Sequence, residues 1–341
     1  MSEAPDPFRQ WQGLLASGNP MIHRRRFIAL ATSALATRTL AAPTPATTLT
    51  LQSSYINDAE FLGYFVAMDK GYYRSRGIEL NYRPGGPDII PESALFSRKA
   101  DIALTDIDTT VSAITRQGAK FRIIGAQFQK NPMGVISLPA KPVRTPQDLV
   151  GKTLSVSPVS MALVKAFFRN TGLAADAVRI VPDLQSDPTS LLTGVVDAAL
   201  GFISDYPFVV QEHGQKPVTF MLGDYGMPQF MDTVVVPEDV LATKRPALVQ
   251  WLAASRQAWD ENFRDPGVYP KAMHETWLKP SGRSIAYNTY SNTAYRELMS
   301  TRAGIYSMSE DDIARNIEAV GRLGLHATRA MFDTTLLQEV L

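Results

Sequence analysis

Acids, amides and tyrosines that follow short apolar runs are the side chains of this sequence best placed to do chemistry. Tyr55, Asn57, Asp58 and Glu60 follow the first run, Asp106, Asp108 and Thr109 a later one, and Gln127 and Gln129 the next. Further on, Ser157, Ser160, Gln185, Ser204, Tyr206, Asp224 and Tyr225 hold matching places. Carboxylates and carboxamide oxygens accept hydrogen bonds, and a tyrosine offers a flat face with a polar tip. A ring bearing N–H groups suits both. Lys130 and Arg83 are the basic residues near these positions, against several acids and amides, which favours a neutral or cationic nitrogen-rich ligand over nitrate or a sulfonate. Each single Asp or Ser also has a plainer reading as a helix cap or turn residue, as Asp187 before Pro188 does, and each tyrosine as an ordinary half-buried side chain.

Reaction chemistry finds less support. Cys is absent, which removes disulfides, thiolate metal sites, a cysteine nucleophile and a lipidated N-terminal cysteine together. His23, His213, His274 and His326 show no metal-ligand spacing, and His213 reads as a helix C-cap. No G-x-S-x-G elbow occurs. The expectation is therefore a binding protein, not an enzyme, with no cofactor and no metal.

The elements that would position these residues begin with residues 55–87. Residues 61–76 are apolar at Phe61, Leu62, Phe65, Val66, Met68 and Tyr72, near helical period, with Gly77 as a stop. Residues 78–82 alternate as a half-buried strand, and Gly85-Gly86-Pro87 turns the chain into a helix over 88–99. In open parallel sheets ligands lie outside the carboxyl ends of strands, so Tyr55, Asn57, Phe61, Gly86 and Pro87 would line the front of one crevice. The glycines could suggest a phosphate cradle at a helix start. Pro87 lacks an N–H and Asp88 already fills that positive end, so the turn is read as one that lets a ligand approach the backbone.

The run F-L-G-Y-F-V-A-M-D-K-G-Y-Y-R-S-R-G-I-E-L at 61–80, followed by Gly85-Gly86-Pro87, resembles the solute-binding proteins of ABC importers for thiamine pyrimidine precursors, sulfonates and nitrate. A-D-I-A-L at 100–104, D-L-V-G-K-T-L-S-V at 148–156 and M-F-D-T-T-L-L at 331–337 also fit that family, and their order and spacing carry the likeness. The resemblance implies an α/β, two-lobed periplasmic-binding-protein (type II) fold with a hinge and an interlobe cleft, a small-molecule ligand and an ABC permease as partner. Its ligand classes are pyrimidine precursors, riboflavin-like rings, sulfonates and nitrate, of which the acids and aromatics select the first two. Fungal pyrimidine synthases and aryl-sulfinate desulfinases resemble the family too, but depend on cysteines that this chain lacks. A sensor that reports to a membrane receptor is the remaining alternative.

Among 341 residues, 45% are hydrophobic, and Lys+Arg 34 against Asp+Glu 33 leaves no basic field for nucleic acid. The expected species is a monomer. At the N-terminus, His23-Arg24-Arg25-Arg26 precedes an apolar run over 27–36 and a small-residue cleavage site ending at Ala41. The pattern is that of a twin-arginine export signal over residues 1–41, too short to span a bilayer, and it directs the mature protein to the periplasm. Removing it takes five arginines and two acids, leaving 29 basic and 31 acidic residues. Met21 sits just before the basic region, so it is the true start, or residues 1–20 are a bare extension.

The remaining elements follow in order. Strands are expected over 48–55, 101–106, 121–127 and 134–138, which with 78–82 make five for the first lobe, and a helix over 108–118. The polar stretch 127–133 is the first crossing between lobes, and Thr145-Pro146-Gln147-Asp148 opens the second lobe as a capping box. Strands over 153–157, 178–182, 198–202 and 218–222 alternate with helices over 160–170, 188–195 and 205–213. Residues 223–232 cross back to a strand over 233–237, a helix over 246–264 buries Trp251 and Trp259, and Ser309 caps another running to 323. The lobes divide as 42–130, 131–225 and 226–341. Two short echoes, 48–51 with 153–156 and 100–104 with 196–200, suggest lobes of one design.

Overall fold

The computed structural model describes residues 46–184 and 187–340. The expected export signal, its cleavage point at Ala41 and the candidate Gln185 lie outside the described residues. Among the described residues ten strands form, in chain order β1 (Thr47–Gln52), β2 (Ile78–Arg83), β3 (Ile102–Thr105), β4 (Phe121–Phe128), β5 (Met133–Ser137), β6 (Thr153–Val156), β7 (Arg179–Pro182), β8 (Ala198–Phe202), β9 (Val218–Met221) and β10 (Met231–Pro237). They make two five-stranded sheets, ordered β2-β1-β3-β10-β4 and β7-β6-β8-β5-β9. Each sheet is the base of a lobe.

The two orders are the same design. In lobe I, β2, β1 and β3 run parallel and β10 runs antiparallel to β3 and β4. In lobe II, β7, β6 and β8 run parallel and β5 runs antiparallel to β8 and β9. The antiparallel member of each sheet is the strand on which the chain arrives from the other lobe. This corrects the expected membership of lobe I: 133–137 belongs to the second sheet, and the fifth strand of the first is the returning β10. Its all-buried Met-Asp-Thr-Val-Val-Val-Pro suits an interior strand.

The second echo, Asp101 with Asp197, corresponds to one repeated contact, whose strand partners are Thr50 and Thr153, two residues out of the register of the first echo. Thr50 and Asp101 exchange two bonds, the Thr50 amide to Asp101 Oδ2 at 2.9 Å and the Asp101 amide to the Thr50 carbonyl at 2.9 Å. Thr153 and Asp197 do the same at 2.9 and 3.0 Å. Each aspartate also holds a lysine, Lys244 at 2.8 Å and Lys141 at 2.5 Å.

Trp251 and Trp259 are fully buried, as their helical spacing predicts. Tyr64 stacks on Trp251 at 5.8 Å, and a Cβ on Gly63 would stand 2.3 Å from the Trp259 ring, so only glycine lets the helix Leu62–Asp69 rest on that indole. The long helix spans Glu238–Arg264 and is kinked at Lys244, where Pro246 interrupts the hydrogen-bond ladder. Thr145 and Asp148 form the capping box, Ser309 accepts from the Asp312 amide at 3.1 Å, and His213 Nδ1 meets the Val209 carbonyl at 2.8 Å.

Several boundaries differ from expectation. The helix expected over 61–76 stops at Asp69, and Gly71 and Gly77, both at φ +71°, bracket a separate 3₁₀ turn Arg74–Arg76. The helix expected over 88–99 is confined to Pro91–Phe96, because residues 87–90 run as a turn with Ile89 and Ile90 facing solvent. Helices Val268–Ala272, Ile285–Met299 and Thr335–Val340 had no strong apolar period to reveal them.

Candidate functional site

Two crossings join the lobes, and the Asn131 amide donates to the Gln229 carbonyl at 2.9 Å to tie them side by side. The segment after β1 in lobe I and the segment after β8 in lobe II meet at the helix Ile285–Met299, where Asn288 accepts from the Ala59 amide and Ser291 reaches the Ser204 carbonyl. There Asp58, which follows β1, and Asp205, which follows β8, feel each other's charge. The candidate site is this interlobe cleft.

Lobe I brings a set of carboxyls to it. Asp58 caps the turn Ala59–Phe61, accepting from the Glu60 amide at 2.9 Å and from Arg283 Nη1 at 2.5 Å. Burial pushes the Asp58 carboxyl up to about 6, Arg283 opposes the rise, and Asp205 adds to it. Glu60 lies beside Asp232, and burial together with the Asp232 charge holds its carboxyl well above the usual range. A protonated Glu60 therefore donates to Asp232. Asp232 also accepts from Ser54 Oγ at 2.6 Å and Gln127 Nε2 at 2.9 Å. It sits at φ +48°, an unusual backbone for any residue but Gly, Asn or Asp.

Asp106 differs from these. Its side chain is open to solvent although protein surrounds it on most sides, as a cleft wall requires. That enclosure, then the charges of Asp108, Asp232 and Glu92, push its carboxyl well up. Thr109 beside it donates to buried Glu92 at 2.7 Å, and Thr105 does so at 2.5 Å. Asn57 is half-buried, and its Oδ1 is enclosed with no hydrogen-bond partner among the described residues. Gly85 brings the loop after β2 against Ser53–Tyr55 backbone: its amide donates to the Tyr55 carbonyl at 2.9 Å, and a Cβ there would stand 2.5 Å from the Ser53 carbonyl oxygen. Gly86 is half-buried next to it and Pro87 exposed.

Other expected site residues turn inward. Phe61 is fully buried in the core of lobe I. Gln127 is fully buried as well, and its carboxamide is already occupied by Tyr64 Oη at 2.7 Å, the Glu60 carbonyl at 2.9 Å and Asp232. It organises the acids behind the cleft. In lobe II, Tyr206 lies flat on β8, where a Cβ on Gly201 would meet its ring at 2.3 Å, and its hydroxyl reaches Asp183 at 3.3 Å. Ser204 is buried, Ser157 and Ser160 are half-buried after β6, Asp224 is exposed, and half-buried Tyr225 meets Phe220 edge-on at 5.3 Å. Tyr55 is half-buried and lies within electrostatic reach of Tyr287.

Sequence reasoning missed Arg283, Asp205, Asp232 and Tyr287 as cleft residues. Asp232 carried a signal, a carboxylate opening an otherwise apolar strand. Arg283 carried none, since its partner Asp58 lies 225 residues away. Arg283 also sits over the Tyr287 ring at 4.7 Å. Among the described residues no group of three or more His, Cys, Asp or Glu side chains is arranged to hold a metal ion, and no helix is long and apolar enough to cross a membrane.

Comparison with known proteins adds family evidence to this geometry. A family model described as NMT1/THI5 like matches residues 58–268. The riboflavin-binding protein RibY of Chloroflexus aurantiacus is 22% identical over 236 residues, covering 66% of this chain and 67% of that protein. A Haemophilus influenzae protein provisionally named for thiamine biosynthesis is 25% identical over 185 residues, 53% of this chain and 58% of that one. The periplasmic aliphatic sulphonate binding protein SsuA of Escherichia coli shares the fold at a TM-score of 0.61 and 16% identity, over 82% of this chain and 91% of that one.

Proposed function

The chain belongs to the NMT1/THI5-like family, and from that premise we propose that it is an exported solute-binding protein that captures a small nitrogen heterocycle for an ABC importer. The observation that carries this reading is the balance of the cleft. Asp106 is open to it, Asp58, Glu60, Asp205 and Asp232 are buried behind it, and the Arg283 guanidinium is already held by Asp58. An anion would meet the Asp106 carboxylate and a guanidinium that is already paired, whereas a ring N–H group would find an acceptor in Asp106. A thiamine pyrimidine precursor or a riboflavin-like ring has that chemistry. Thermal unfolding with 4-amino-5-hydroxymethyl-2-methylpyrimidine, riboflavin, taurine and nitrate tests it. A ring compound at 100 times its dissociation constant should add about 2.7 kcal/mol and be recovered unchanged. Stabilisation by taurine or nitrate alone overturns the electrostatic reading, and an altered product overturns the binding role.

A further inference from the structure

Arg283 stands at the foot of the helix Ile285–Met299, and this helix touches both lobes. Toward lobe I, Arg283 binds Asp58, and Asn288 Oδ1 accepts from the Ala59 amide at 3.2 Å. Toward lobe II, Ser291 Oγ shares its one proton between the Ser204 carbonyl at 3.0 Å and Asp205 at 3.1 Å, while Tyr287 and Tyr290 each pack on Phe208 at 5.4 Å. The covalent crossings are two, yet the lobes are also joined here.

We propose that this helix is a third, non-covalent connection between the lobes, and that Arg283 is its positioning residue, sharing its charge between Asp58 of lobe I and Asp205 of lobe II. The two partners are unequal. Asp58 is 1% exposed and bonded to the guanidinium, so Arg283 travels with lobe I. Asp205 interacts with it through charge, without a direct bond among the described residues. A guanidinium offers five N–H donors in a rigid fork, so it can hold Asp58 and still receive Asp205 as the lobes approach. Rotation about the crossings then changes the Arg283 to Asp205 distance together with the Ser291 and Phe208 contacts of the same helix. Arg283 thereby sets the interlobe angle at which a ligand is gripped.

The absence of Cys permits a direct test on the full chain. Asn81→Cys in lobe I and Lys165→Cys in lobe II are both exposed sites for one spin label each. In the unliganded protein, Arg283→Gln should broaden the interlobe distance distribution and move its mean by several ångströms, and Arg283→Lys should restore part of the change. Asp205→Asn leaves the Asp58 pair intact and should broaden the distribution too, which decides the matter if Arg283→Gln does not fold. A wild-type distribution in folded Arg283→Gln, or in Asp205→Asn, overturns the proposal. The ligand arm rests on the solute-binding reading: affinity for the aminopyrimidine should fall on the order of tenfold in both variants, the equivalent of one charged hydrogen bond. If no probe binds the wild type while the unliganded distances shift, the ligand reading fails and the connection stands.

Discussion

Gln127 Nε2 donates to the Asp232 carboxylate at 2.9 Å, joining β4 to the start of β10. The same carboxamide serves Tyr64 and the Glu60 carbonyl, so one side chain satisfies three buried groups. Gln127→Ala should take one hydrogen bond from each of the three and cost about 2 to 4 kcal/mol, measured as a lower urea midpoint with an unchanged slope. A loss below 1 kcal/mol would mean that water replaces the amide.

The acids behind the cleft give stability an inverted pH dependence. Asp58 titrates near 6 when folded and at 3.8 when unfolded, so between those values the folded state keeps a proton that the unfolded chain has lost. Its contribution is full below about pH 4 and disappears as the pH rises through 6, on the order of 3 kcal/mol. Glu60, Asp205 and Asp232 shift in the same direction. Asp197 and Glu261 shift downward and lose their contribution only as the pH falls below their unfolded values of 3.8 and 4.5. The unliganded protein should therefore melt higher at pH 5 than at pH 8. Equal or reversed melting temperatures would contradict the burial of these carboxyls.

Asp106 should separate binding from folding. The side chain is open to the cleft, so Asp106→Ala should leave unfolding within about 0.5 kcal/mol of wild type. Ligand affinity, read by calorimetry with the aminopyrimidine, should weaken by about 1 to 3 kcal/mol. Unchanged affinity removes Asp106 from the site.

Gly85→Ala should weaken both. Its Cβ would press within 2.6 Å of Ser53, Ser54 and Tyr55 backbone, which cannot swing aside as a side chain can. A cost of about 1 to 3 kcal/mol is expected in unfolding. Gly86→Ala, whose Cβ would meet only Ile89 at 3.9 Å, is the control and should be near neutral.

Export makes a separate prediction. Replacing Arg24 and Arg25 by Lys should trap the precursor in the cytoplasm, as seen by fractionation. Normal processing of that variant would reject the twin-arginine reading.

Strands and crossings were legible because their signals are local: alternation in β2, apolar runs in β3 and β4, and polar stretches between lobes. The partnering of strands was not. Nothing in the sequence says that β10, more than 90 residues after β4, slots between β3 and β4. The site divides in the same way. Asp106 and Asn57 follow strands and could be named, whereas Gln127, near the end of β4, and Tyr206, after β8, turn inward, a choice made by packing against Tyr64 and Gly201. Arg283 depends on a contact between distant segments, which no spacing rule reaches.

Because the Asn131 amide meets the Gln229 carbonyl, the segment between them leaves and re-enters lobe I at nearly one point. Lobe II is thus an insertion whose two ends are neighbours. Cut out there, it would be a continuous chain with a complete sheet of its own. The remaining halves of lobe I could be rejoined by a turn of a few residues, bringing β4 directly to β10 as an antiparallel hairpin. The two-lobed chain is, in this sense, a one-lobed domain that carries a second in a loop.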